Sequence, residues 1–130
     1  HAMVDLAGDM AAVGEQADGQ PWRVGIRDPA DPGRALAGVE LRSGGLASSG
    51  NYERCIETPG RRYGHILDPR NGWPVEGLTA VSVTAEQCLV AGGSATLAMI
   101  LPEAEALAWL AELGLPWLAV DRGGAVHKAM

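Results

Sequence analysis

The 130 residues contain no phenylalanine, and aromatic residues make up only 5% of the chain. A core built from them must rely on Leu, Val, Ile and Ala, with the four Trp placed singly. Lysine is nearly absent: nine of the ten basic residues are Arg, and Lys128 is the exception. With a formal net charge of −6, the chain lacks the basic excess that nucleic acid or an anionic membrane requires of a general partner. Cys55 and Cys88 stand alone, without CxxC spacing or a neighbouring His, so no zinc or redox motif is present. Two buried free thiols are the expectation. No run approaches the roughly 18 apolar residues of a membrane span. No signal peptide opens the sequence either. His1-Ala2-Met3 reads as a cloning remnant with Met3 as a start, leaving 4–130 as one domain.

What is present suits a globular domain: 47% hydrophobic residues and a mean hydropathy of +0.02. Residues 4–13 alternate weakly and suggest one short strand leaving through Gly8-Asp9. Trp22 to Ile26 reads as a strand. Leu36 to Leu41 follows as another and enters a hairpin at Ser43-Gly44-Gly45. Leu46 to Ile56 and Arg61 to Leu67 continue as strands around a Thr58-Pro59-Gly60 turn. Leu78 to Thr84 is rich in β-branched residues. From Glu86 to about Leu101 the apolar period changes to that of a helix, and Pro102 restarts a second helix that ends at Gly114. Pro116 to Val120 and a short terminal strand close the chain. The expected class is α+β, a mostly antiparallel sheet with two helices packed on one face.

Chemistry concentrates between Ser48 and Pro74. His65-Ile66-Leu67-Asp68-Pro69-Arg70-Asn71-Gly72 reads as a strand end breaking into a tight turn. Pro69 fixes φ, Asn71-Gly72 tolerates positive φ, and Pro74 ends pairing. That places His65 and Asp68 at a sheet rim within reach of a ligand. A lone His at a strand end also serves as a plain hydrogen-bonded residue. Asp68 either orients His65 or simply initiates the turn. In Ser49-Gly50-Asn51-Tyr52-Glu53-Arg54, Gly50 would admit a ligand close to backbone and Tyr52 would stack or hydrogen-bond. The plainer alternative is an edge strand with Glu53 and Arg54 as a solvated pair.

These blocks resemble the FAD:protein FMN transferase (ApbE) family, whose members read S-G-[D/N]-Y-E-R and Y-x-H-I-x-D-P-x-T-G-x-P. Val4-Asp5-Leu6-Ala7-Gly8-Asp9 is similar to the family's V-N-x-G-G-D. Trp22-Arg23-Val24-Gly25-Ile26-Arg27-Asp28-Pro29 is similar to its W-x-V-G-I-x-D-P. The four blocks occur in family order and correspond to the family's C-terminal half. The resemblance implies a Mg²⁺-dependent enzyme that splits FAD at its diphosphate and places FMN on a Thr of an acceptor protein. It implies His65 as the catalytic residue, and Asp5, Gly8, Asp9, Gly50, Tyr52, Tyr63 and Asp68 as flavin-nucleotide contacts. It also implies a bacterial envelope or periplasmic setting.

One block departs from the pattern. Ala91-Gly92-Gly93-Ser94-Ala95-Thr96 stands where members read A-D-A-x-x-T. Thr96 matches the metal-binding Thr, but Gly92 replaces the carboxylate, and Mg²⁺ prefers hard oxygen ligands including one. Two glycines cost a helix about 1 kcal/mol each relative to Ala, so close helix–sheet packing is expected to favour them. The chain therefore resembles an incomplete or impaired transferase. The rival reading is a non-catalytic domain that binds flavin nucleotide or a protein. A homodimer, or a partner supplying the absent N-terminal half, is the expected assembly.

Overall fold

Ten strands and two helices follow one another in this computed structural model, which describes residues 1–130. Strands β1 (Ala2–Leu6) and β2 (Asp9–Val13) form a hairpin whose register runs from Ala2↔Val13 to Leu6↔Asp9. Strands β3 (Trp22–Arg27) and β4 (Ala35–Leu41) form a second, separate hairpin. Then come β5 (Gly44–Gly50), the β6 (Cys55–Thr58) and β7 (Arg61–Gly64) hairpin, and β8 (Ala80–Ala85). Helices α1 (Cys88–Ile100) and α2 (Glu103–Glu112) precede β9 (Trp117–Val120) and β10 (Val126–Ala129). The main sheet has the order β1-β2-β5-β8-β9-β10, and every pairing in it is antiparallel.

Alternation along the central strands loads both faces of this sheet. Ala47, Val81, Val83, Trp117 and Ala119 face the helices and pack with Ala91, Ala95, Ala98, Met99 and Leu110. Leu46, Leu118 and Val120 face the other way and pack with Val24, Ile26 and Leu41 of the β3–β4 hairpin. Helices lie on one face, as the sequence implies. The other face is covered by two strands that pair only with each other.

Three local expectations change. Residues 4–13 are not one strand: Ala7 and Gly8 both adopt positive φ (57° and 98°) and make a two-residue hairpin turn. Asp5 fixes it, its Oδ1 accepting from the Gly8 N–H at 2.9 Å. Ser43-Gly44-Gly45 does not close a hairpin; the chain passes there from one layer to the other, because β4 pairs with β3 while β5 pairs with β2 and β8. Leu46 to Ile56 is not continuous, since it bends between Gly50 and Cys55. Both cysteines are free but half-buried rather than buried. No helix is long and apolar enough to cross a membrane.

The helical glycines do not explain the close packing either. A Cβ on Gly93 would meet nothing within 4 Å, and one on Gly92 would make an ordinary 3.6 Å contact with the Ala47 Cβ. The tight approach belongs to the strand: a Cβ on Gly45 would fall 2.5 Å from the Cys88 Cα. Gly45→Ala should therefore destabilise the domain by about 1–3 kcal/mol through overpacking. Gly93→Ala should stabilise it by about 1 kcal/mol through helix propensity. Urea melts of the two variants check both signs.

The turn after β7 is held by Asp68. Its N–H donates to the Trp73 carbonyl at 2.8 Å, its carbonyl accepts from the Gly72 N–H at 2.7 Å, and Leu67 bridges Pro74. Its carboxylate accepts from the Arg70 side chain and the Arg70 N–H, which hold its pKa below the usual value. A depressed Asp contributes stability that is present above the ordinary carboxylate range and lost as pH falls through the lowered value. Asp68→Asn should lower Tm at neutral pH, and the gap to the parent should close as pH falls below about 4. Thermal melts followed by circular dichroism across that range test it.

Candidate functional site

His65 follows β7 directly and stands exposed on the rim of an open groove of about 490 Å³. Arg54, Tyr63 and Gly64 share that groove, with Ile56, Leu67 and Pro74 as its apolar part. The His65 Nδ1 lies 3.1 Å from the Arg54 carbonyl oxygen. A carbonyl only accepts, so Nδ1 carries the proton and Nε2 is the ring nitrogen left for a ligand. Asp68 does not orient this ring; its carboxylate is engaged by Arg70 and its own turn. Of the two readings of Asp68, the geometry follows the turn. The Arg61 guanidinium lies 5.0 Å from the centre of the Tyr63 ring and also pairs with Glu76 at 2.6 Å. Tyr63 therefore offers the groove a ring already polarised by a cation.

Tyr52 lies elsewhere. It lines a second cavity of about 370 Å³ together with Asp28, Arg34, Thr79, Asp121 and Arg122. A Cβ on Gly50 would run into the Tyr52 ring, so the glycine makes room for that ring. Burial, followed by the Glu53 carboxylate, pushes the Tyr52 phenol up, while Arg27 opposes them. Glu53 pairs with Arg27, not with Arg54. Asp28 is buried and takes two bonds from Arg34, at 2.9 and 2.5 Å. Asp121 holds the His127 Nε2 at 2.8 Å. Neither the Asp28–Arg34 pair nor the Asp121–His127 pair stood out in the sequence. Their partners lie six residues apart across turns, so no single helix or strand face joins them.

A third group gathers where β2, β5 and α1 meet. The Ser49 Oγ lies 3.1 Å from the Thr96 Oγ1. The Asp9 Oδ2 lies 4.0 Å from where a Cβ on Gly92 would stand. Cys88 is close by, its thiol pushed up by burial and then by Asp9, which keeps it protonated. Asp5 and Gly8 sit at the β1–β2 turn beside this corner, bonded to each other. These residues do not fit Mg²⁺. One carboxylate and two hydroxyls that bond each other fall short of its oxygen shell, and no three His, Cys, Asp or Glu converge anywhere in the chain.

The structure thus brings the expected residues to one end of the sheet in three groups rather than one. His65 and Tyr63 share a groove, Tyr52 and Gly50 wall a second cavity, and Asp9 and Thr96 meet at the helix corner.

Comparison with known proteins agrees with the order of the blocks. Residues 1–118 match the ApbE family. A FAD:protein FMN transferase of Salmonella typhimurium is 35% identical over 128 residues, which is 97% of this chain but 37% of that protein. The crystal structure of an ApbE protein from Thermotoga maritima superposes with a TM-score of 0.89 at 30% identity, covering 98% of this chain and 42% of that one. The apo flavinyl transferase ApbE of Pseudomonas stutzeri gives 0.80 at 35% identity, covering 98% and 40%. The chain spans about two fifths of the length of these relatives. With sequence blocks, fold and matched span in agreement, this chain belongs to the ApbE family.

Proposed function

We propose that this chain supplies the His65 side of a flavin-nucleotide site for FMN transfer from FAD to a protein hydroxyl, and that alone it is a catalytically silent half-site. The observation that carries the reading is the tethered His65 on an open groove. Its Nδ1 proton is committed to the Arg54 carbonyl, so Nε2 is free to take a proton in the neutral ring. In the proposed reaction an acceptor Thr hydroxyl oxygen bonds to the FMN phosphorus of FAD. The bond from that phosphorus to the bridging oxygen breaks, and AMP leaves. The hydroxyl proton passes to His65 Nε2 and then to the departing phosphate or solvent.

Phosphoryl transfer depends mostly on positioning and on neutralising charge at the phosphates. Here the donor set at Gly92 and Thr96 supplies no divalent site, and the groove's Arg54 is a single cation. That observation favours a second reading, a non-catalytic flavin-binding domain.

Three outcomes follow from the half-site. Titration of FAD against the chain, read by flavin and Trp fluorescence, should give a dissociation constant well above about 1 µM, because an open groove cannot bury so large a ligand. His65→Ala should weaken that binding further, by roughly three- to tenfold. Incubation with FAD, Mg²⁺ and a Thr-bearing acceptor protein should release no AMP on chromatography. AMP release that disappears in His65→Ala would show the site to be complete and overturn the half-site reading.

A further inference from the structure

The proposed flavin chemistry leaves the second cavity, at Tyr52, unused. That cavity shares no residue with the His65 groove. It opens on the other layer of the fold, where its walls Leu36 and Val120 belong to the cluster under the β3–β4 hairpin. Its carboxylates are spent. Asp28 Oδ1 accepts from the Ala30 N–H at 2.8 Å, and Oδ2 accepts from Arg34. Asp121 Oδ1 accepts from the Ala125 N–H at 2.9 Å, and Oδ2 accepts from the His127 Nε2. Two donors are not spent. Of the nine arginines, only Arg54 and Arg122 pair with no carboxylate. Arg54 lines the His65 groove, and Arg122 lines this cavity. The Tyr52 hydroxyl has no partner within the protein and is not sealed off. Burial pushes that phenol up, so it remains a donor.

We propose that this cavity binds a small aromatic carboxylate, whose charge pairs with Arg122 and accepts from the Tyr52 hydroxyl while its ring lies against Leu36, Val120 and Val126. The volume of about 370 Å³ is at the small end of ligand sites, which run from about 300 to 1,000 Å³. Apolar walls with a few placed polar groups are the usual build of such a site. The free groups set the sign of the ligand. Unspent donors beside carboxylates already satisfied favour an anion over a cation. A guanidinium meets a carboxylate through two parallel bonds, which suits Arg122 to this partner. Its turn is held in advance: the Asp121 N–H donates to the Ala125 carbonyl at 3.0 Å, and the Arg122 N–H donates to Glu103 at 3.2 Å. That order lowers the cost of binding. The half-buried Tyr52 ring gives an aromatic body a partner to stack on. None of this depends on the flavin chemistry, so the test contains no FAD.

The experiment titrates the whole chain at constant pH with 3-phenylpropionate and follows ¹H–¹⁵N spectra of the imidazoles. His127, bonded to Asp121 on the cavity wall, should shift in a saturable way while His65 stays in place. Arg122→Gln, at an exposed position, should keep the parent melting temperature and weaken binding by roughly tenfold or more. Tyr52→Phe should weaken it by roughly three- to tenfold. Arg23→Gln removes the same charge from the far end of the β3–β4 hairpin and should leave binding unchanged. Equal binding of the neutral 3-phenylpropanamide would overturn the proposal, as would equal binding of inorganic phosphate. A response at His65 instead of His127, no saturable response, or indifference to Arg122→Gln would each overturn it as well.

Discussion

The seating of α1 against β5 is the contact on which the rest depends. It is close because Gly45 has no side chain where the Cys88 backbone passes, and because Ala91, Ala95 and Ala98 line the inner face of the helix. That approach places Thr96 against Ser49 and Gly92 beside Asp9. A bulkier inner face would lift the helix and separate all four. The same contact fixes the order of layers, with helices on one side of the sheet and the β3–β4 hairpin on the other.

Charge is managed locally throughout. Each carboxylate near the groove or cavity has its own Arg or His: Asp28 with Arg34, Glu53 with Arg27, Asp68 with Arg70, Asp121 with His127. This pairing has a functional consequence. The acids are committed to holding loops, so they are not free ligands, and the loops that carry Tyr52 and His65 are stiffened instead. Around the groove the His65 Nε2 and the Arg54 guanidinium are left uncommitted.

The helices, the turn at Asp68-Pro69 and the membership of the family were legible because each rests on local signals: period, Pro and Gly placement, contiguous motif blocks. What the sequence hid is long-range or conformational. Ala7 at positive φ makes a turn that no Asn-Gly announces, so β1 and β2 read as one strand. Ser43-Gly44-Gly45 looks like a hairpin, yet its glycines serve the passage between layers and the approach of α1. Tyr52 and His65 sit thirteen residues apart in matching blocks, and the bend after Gly50 turns them to different cavities. Gly50 reads in the sequence as an opening for a ligand; in the fold the Tyr52 ring packs against it.

In the proposed function the groove at His65, rather than the cavity at Tyr52, receives the flavin nucleotide. The chain offers three histidines as internal reporters, at positions 1, 65 and 127. His127 borders the second cavity through Asp121, and His1 lies near Gly14 and Glu15. A titration with FAD followed by ¹H–¹⁵N spectra of the imidazoles separates the two sites directly. The His65 Nε2 signal should move with FAD while those of His1 and His127 stay in place. A stationary His65 with a moving His127 would put the nucleotide in the other cavity and contradict it.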